Sequence, residues 1–109
     1  MSNELVETLV DAATLMSVAS IQDRSDRDMD RVLITFSSGL GVSVIRGPGS
    51  YGGSSGLFEV AVYLNDNIVE VLFDDNTGST PDVRGWLSVS DVNEILQKAA
   101  AWVQPLTEQ

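Results

Sequence analysis

One stretch of the chain, FEVAVYL at Phe58 to Leu64, alternates so regularly that it constrains the fold more than any other segment. Large apolar side chains occupy every second position, which is the period of a strand with one buried face. Asn65, Asp66 and Asn67 then form a turn signal before a second apolar run, IVEVLF at Ile68 to Phe73. The two runs predict a β-hairpin.

An earlier hairpin is predicted from VLITF at Val32 to Phe36 and VSVI at Val42 to Ile45, because the intervening SSGLG supplies glycines for a tight reversal. Gln22 to Arg31 has charges of alternating sign and no apolar period, so we interpret it as a solvated connection. Residues Met16 to Ile21 fit either the end of a helix or the start of a strand. Asp74 to Gly85 holds many turn formers and a proline, and is expected to be irregular.

Helices are predicted at both ends of the chain from an apolar period of 3.6 residues. The N-terminal helix places Glu4, Glu7 and Asp11 on its polar side. Its apolar side consists of Leu5, Val6, Leu9, Val10, Ala12, Ala13 and Met16. The C-terminal helix begins after a capping residue, Ser88, and ends before Pro105. Its apolar side consists of Val92, Ile95, Leu96, Ala99, Ala100, Trp102 and Val103.

These elements predict an α+β fold of order α-β-β-β-β-α, in which both helices pack on one face of a four-stranded, mainly antiparallel sheet. The 109 residues fit a single domain, 1–109. Core packing is the favoured role for Trp86, with an interface anchor as the alternative, and Trp102 is expected in the core. Whether the first helix packs on its own sheet or on a second copy stays open, so a homodimer is possible.

The chain has no cysteine and no histidine, which excludes disulfides, thiol nucleophiles, the usual zinc sites and an imidazole base. No catalytic residue, metal or cofactor is therefore expected. The aspartates at 23, 26, 28 and 30 have arginines between them that compete for their carboxylates, and Asp74 to Asp82 lacks the glutamate of a calcium loop. The acidic N-terminus and the absence of a long apolar run predict a cytosolic protein without a membrane span.

The segment RGPGSYGGSSG matches the pattern G-x-G-x-x-G at Gly47, Gly49 and Gly52. A dinucleotide-binding turn needs a helix that opens directly after the glycines, but here a strand follows and Pro48 removes a backbone donor. The segment therefore indicates a mobile loop between the two hairpins. Pinning of the loop to the protein body is the favoured role for Tyr51, yet a loop on a rigid sheet also suits recognition. Tyr51 with Gly52 and Gly53 is thus one candidate contact site.

Charge supplies the second candidate contact site. Sixteen acidic residues against six basic ones give a net charge of -10, which disfavours nucleic acid as a direct ligand and favours a basic protein partner. Between Asn65 and Val83 there is no Lys or Arg, so one sheet edge is expected to be strongly negative. The acids of this edge are Asp66, Glu70, Asp74, Asp75 and Asp82. Solubility alone is the alternative explanation of the acidity.

Two segments, SYGGSSGLFEVAV from Ser50 to Val62 and DVRGWLSVSDVNEIL from Asp82 to Leu96, resemble small accessory proteins of tailed phages and prophages. The resemblance covers roughly the C-terminal two thirds of the chain. It implies contact or structural roles for Tyr51, Gly52, Gly53 and Trp86. Accessory phage proteins of this size often bind and disable a host enzyme, including CRISPR nucleases.

The combined expectation is a phage-derived inhibitor in the host cytoplasm that binds a basic, nucleic-acid-handling host defence protein, with imitation of nucleic-acid charge as one means of binding. Two alternatives stay open. The first is a small housekeeping or virion-associated phage protein whose acidity is incidental. The second is an enzyme that depends on carboxylates or a metal, for example with Glu59 and Glu70 side by side.

Overall fold

The computed structural model describes residues 4–47, 56–65, 67–69 and 83–103. Their helices are α1 (Glu4–Leu9), α2 (Ala12–Leu15) and α3 (Val89–Ala101). Their strands are β1 (Val18–Asp23), β2 (Asp30–Phe36), β3 (Leu40–Arg46), β4 (Phe58–Leu64), β5 (Asn67–Val69) and β6 (Val83–Leu87).

The strands form one antiparallel sheet in which β1, β2, β3 and β4 are successive neighbours. The remaining edge of β4 is shared between two short strands: β5 pairs with its C-terminal half and β6 with its N-terminal half. The predicted α+β class with an antiparallel sheet is confirmed. The predicted number of four strands is wrong, because β1 and β6 lie where the sequence indicated no definite strand.

One face of the sheet forms the core. Val32, Val44 and Val60 lie directly opposite one another across β2, β3 and β4, and each is fully buried. Other buried residues of this inner face are Ile34, Phe36, Leu40, Val42, Phe58 and Val62. The cluster is completed by residues of α1, of α3 and of the chain just after α1, namely Val6, Leu9, Val10, Val92, Leu96 and Ala99. The helices therefore cover the inner face, and the first helix packs within its own chain.

The N-terminal helix is interrupted at Asp11, where a single helix was predicted. The Asp11 carboxylate accepts a hydrogen bond from the backbone N–H of Thr14 at 2.7 Å and so caps the start of α2. Val6, Leu9 and Val10 are buried as predicted, but Ala12, Ala13 and Met16 are exposed. A side-chain cap thus overrides the apolar period after Val10.

For the C-terminal helix, the predicted Ser88 cap is confirmed, and the residues Val92, Leu96 and Ala99 of the predicted apolar side are buried. The Ser88 hydroxyl accepts from the N–H of Asp91, and the Asp91 carboxylate accepts from the N–H of Ser88. Polar residues of α3 also hold the N-terminal segment: Asn93 donates to the Leu9 carbonyl at 2.8 Å and Gln97 donates to the Asp11 carboxylate at 2.9 Å. Trp102 packs against the core as predicted, whereas Val103 is exposed.

The connection predicted at Gln22 to Arg31 is confirmed over residues 24–29, but both of its ends are strand. β1 extends to Asp23 and β2 begins at Asp30, so residues 24–29 alone connect them. Within this reversal, the Asp26 carboxylate accepts from the N–H groups of Asp28 and Met29 at 2.9 and 3.0 Å. Because β1 lies at a sheet edge and is largely exposed, its backbone pairing with β2 needs no apolar period.

β6 corrects the end of the segment predicted to be irregular, Asp74 to Gly85, since the strand begins at Val83. Residues 74–82 of that prediction lie outside the described residues. The residues of β6 occupy the part of the β4 edge that β5 leaves unpaired. Backbone hydrogen bonding to an existing strand thus decides the conformation of a short segment whose own composition is ambiguous.

Candidate functional site

The two predicted contact sites fall in segments that the structure does not describe. Tyr51, Gly52 and Gly53 lie outside the described residues, and so do Asp66, Glu70, Asp74, Asp75 and Asp82. What the structure describes are the residues that flank these segments.

The flanks of the glycine segment are Gly47 and Gly56. Gly47 is buried after β3, and a Cβ added there would lie 2.6 Å from the Asp28 carbonyl oxygen and 2.9 Å from the Met29 sulfur. Gly56 has a φ of 77°, in the left-handed region that favours glycine. Both glycines thus have backbone reasons to be glycine, and at Gly47 this reason is close contact with the β1–β2 reversal.

The flanks of residues 70–82, hereafter the acidic segment, lie on one edge of β4. Val69 of β5 is opposite Val62, and Val83 of β6 is opposite Ala61, the preceding residue. The two ends of the acidic segment are therefore anchored at neighbouring positions of the same sheet edge, hereafter the β5/β6 edge. The segment contains four acidic residues and no Lys or Arg.

Trp86 of β6 is 61% exposed, so the favoured prediction of a buried tryptophan is wrong. Its φ of 61° is unusual for a bulky residue. The pairing explains this geometry: Leu87 is opposite Phe58 and Arg84 is opposite Val60, so Gly85 and Trp86 together face Glu59. This β-bulge redirects the chain and leaves the indole in solvent on the β5/β6 edge.

Glu7 and Asp11, both predicted on the polar side of a single N-terminal helix, have different surroundings. Glu7 is exposed on α1, whereas Asp11 lies between the two helices and bonds to Thr14 and Gln97. The hydrogen bond from the Thr14 N–H is the main reason that the pKa of Asp11 lies below its ordinary value of 3.8. Asp11 therefore has a structural role in joining α2 to α3.

Three aspartates of the β1–β2 hairpin, Asp23, Asp26 and Asp30, also have structural partners. Asp30 forms an ion pair with Arg46, its direct cross-strand neighbour, at 2.9 Å. The Arg46 guanidinium lies 4.8 Å from the ring centre of Phe58 and so covers one end of the core. Among the residues that the structure describes, no group of three or more side chains could hold a metal ion.

The outer face of the sheet carries a groove of about 530 Å³ that the sequence did not reveal. Arg24 and Arg31 lie at one end of the groove, and Tyr63 and Asn65 lie toward the other end. Between them, the wall is formed by Leu33, Thr35 and Ser43, with Gly39 and Gly41. The sequence predicts a connection at Arg31, so its position on β2 in the lining of the groove could not be predicted.

Gly41 forms the floor of the groove. In the register it lies between Thr35 of β2 and Tyr63 of β4. Its missing side chain leaves a gap that the Leu33 and Thr35 side chains border, and Gly41 itself is buried. A Cβ at this position would meet the Leu33 side chain at 3.6 Å and the Thr35 hydroxyl at 3.8 Å, which are ordinary contacts. The volume of the groove falls in the range of small-ligand sites, and its donors are guanidinium and hydroxyl groups.

None of the helices in the described part of the chain is long and apolar enough to cross a membrane. No protein-family model matches the chain, and neither the curated proteins nor the solved structures contain a significant match to it.

Proposed function

We propose that this protein is a binding protein without catalytic activity, and that it uses the β5/β6 edge to attach to a basic protein partner. The observation that carries the proposal is the exposure of Trp86 on the same edge of β4 that anchors both ends of the acidic segment. In keeping with the phage resemblance, the proposed partner is a nucleic-acid-handling host defence protein in the host cytoplasm.

The charge distribution supports a basic partner. The stretch between Asn65 and Val83 holds five acidic residues and no Lys or Arg, and so accounts for half of the net charge of -10. By contrast, several acids elsewhere have structural partners: Asp11 and Asp91 cap helices, and Asp30 pairs with Arg46. The excess negative charge is therefore concentrated in sequence beside the β5/β6 edge, where it can attract a cationic surface.

Trp86 supports a contact role for this edge. Exposed tryptophans are among the commonest anchors of protein interfaces, because a large rigid ring buries much area at little entropic cost. A bulge that holds the ring in solvent has a conformational cost, since a left-handed φ is unfavourable for a residue with a side chain. A contact made by the indole explains why that cost is tolerated.

The proposed mechanism is competition. Acids of the segment occupy Lys and Arg side chains that the partner uses for nucleic-acid phosphates, while Trp86 supplies apolar contact area next to them. Because the attraction between the two proteins is largely electrostatic, the affinity falls as salt rises.

The proposal is tested by recovering a partner from host lysate at low and high salt and then measuring its affinity for defined variants. We expect the E70Q/D74N/D75N variant and the W86A variant each to bind at least tenfold more weakly. The matched control E7Q/D28N/E94Q loses the same three charges elsewhere and should bind as the wild type does. Equal weakening by the control would show that the loss of affinity comes from net charge alone. Unchanged binding by both edge variants would refute the proposal.

A further inference from the structure

The outer groove is lined by positively charged side chains, whereas the chain as a whole is strongly acidic. Arg24 and Arg31 both line it, although the protein has only six basic residues and a net charge of -10. Arg46 pairs with Asp30, and Lys98 pairs with Glu94. The Arg24 guanidinium donates a hydrogen bond to the neutral side-chain amide oxygen of Gln22. The two groove arginines belong to neither pair.

Arg24 and Arg31 also occupy directly opposite positions at the end of the β1–β2 pairing. The Arg24 N–H donates to the Arg31 carbonyl at 2.8 Å, which extends the β1–β2 ladder and sets the residues opposite one another. Like charges in such positions lie about 5 Å apart at their Cβ atoms and destabilise the pairing. A dianion bound between the guanidinium groups reverses this repulsion and receives charge-assisted hydrogen bonds from both.

The other end of the groove suits a planar ring. Tyr63 flanks the gap above Gly41, and Leu33 and Thr35 border that gap on its other side. From Arg31 to Thr35 the strand advances about 13 Å at roughly 3.3 Å per residue. A ligand that spans the groove is thus elongated, with an anionic end and a flat apolar end.

We propose that the groove binds a small phosphate monoester with a planar ring, such as a nucleoside monophosphate. The phosphate, which carries close to two negative charges at neutral pH, lies between Arg24 and Arg31. The ring lies beside Tyr63 at the Gly41 end of the groove. This proposal does not depend on the proposed function, although Tyr63 at one end of the groove lies opposite Ile68 of β5.

The test uses AMP as the probe, in titrations followed by calorimetry and by backbone amide NMR at constant ionic strength. We expect saturable binding at millimolar or lower AMP, with shifts at Gly41, Ser43 and Tyr63. Adenosine, which lacks the phosphate, and inorganic phosphate, which lacks the ring, should each bind at least about tenfold more weakly. If either matches AMP, the two-ended site is wrong.

Variants separate the groove from general electrostatics. We expect R24Q and R31Q each to weaken AMP binding by about tenfold or more. The matched control is R27Q, because Arg27 lies in the same connection and does not line the outer groove. Equal weakening by R27Q would overturn the proposal, as would the absence of saturable AMP binding by the wild type.

The floor is tested with G41V, which adds a branched side chain where Thr35 and Tyr63 flank the gap. It should abolish the binding of AMP without changing any charge. Normal AMP binding by a folded G41V protein would overturn the placement of the ring. If G41V does not fold, G41A is the substitute variant, because its Cβ makes ordinary contacts, and it should weaken AMP binding measurably.

Discussion

Replacement of Gly47 by alanine isolates the packing reason for the first glycine of the G-x-G-x-x-G pattern. The added Cβ would lie 2.6 Å from the Asp28 carbonyl oxygen, 2.9 Å from the Met29 sulfur and 3.1 Å from the Met29 Cα. The sulfur belongs to a flexible side chain and can move. The oxygen belongs to the backbone of the β1–β2 reversal, which the Asp26 carboxylate holds through two hydrogen bonds.

The expected change in the free energy of unfolding of G47A is the sum of two opposing contributions. Overpacking of a close contact typically costs about 1–3 kcal/mol of the free energy of unfolding. Alanine also restricts the unfolded chain more than glycine does, which stabilises the native state by roughly 0.4–1 kcal/mol. We therefore expect G47A to lower the free energy of unfolding by about 1–2 kcal/mol, out of a total on the order of 5–15 kcal/mol.

The assay is urea denaturation at neutral pH, with G41A as the matched control. A Cβ at Gly41 has its nearest contact at 3.6 Å, so G41A should be neutral or stabilising by about 0.5 kcal/mol. A G47A protein as stable as the wild type would refute the packing argument. A G41A protein that loses as much as G47A would show that both effects come from strand glycines in general.

Three further predictions concern the cap, the bulge and pH. Because Ser88 closes a capping box with Asp91, S88A should lower the free energy of unfolding by about 1 kcal/mol in urea melts, and S88T should restore most of it. At Trp86, the W86G variant should be more stable than the W86A variant by about 0.5–1 kcal/mol in urea melts. Both variants lose the indole, but only glycine tolerates the left-handed φ without cost. Equal stability of the two variants would argue against this backbone conformation. The pKa of Asp11 is lowered in the folded state, so its contribution to stability is present above pH 3.8 and is lost as pH falls through the folded pKa. The stability difference between wild type and D11N should accordingly shrink in acid titrations of the melting temperature, whereas a difference that persists below that range would exclude the charge as its source.

Regular periods in the sequence were sufficient to place most of the core. The alternation at residues 58–64 and the capped apolar period after Ser88 specify β4 and α3, because each pattern fits one backbone geometry and buries one face. The first hairpin follows for the same reason, although β2 and β3 extend beyond the apolar residues that indicated them.

The candidate sites depend on relations that a local pattern does not contain. Trp86 has a large apolar side chain, which favours burial, yet a bulge opposite Glu59 exposes it. Arg31 belongs to a charged run, which favours a loop, yet pairing with β1 and β3 places it on a strand that lines the groove. Both outcomes come from the register between strands distant in sequence.

The sequence by itself determined the α+β class, the apolar strands β2, β3 and β4, the capped C-terminal helix and the excess of negative charge. These features are local or compositional, so propensity, periodicity and a count of charges are enough to read them. Only the tertiary structure decided that β5 and β6 share one edge of β4, that Trp86 is exposed there, and that two arginines line one end of a groove on the outer face. The physical reason is that strand pairing satisfies backbone hydrogen bonds wherever an edge is open, and this non-local requirement fixes which side chains face the solvent together.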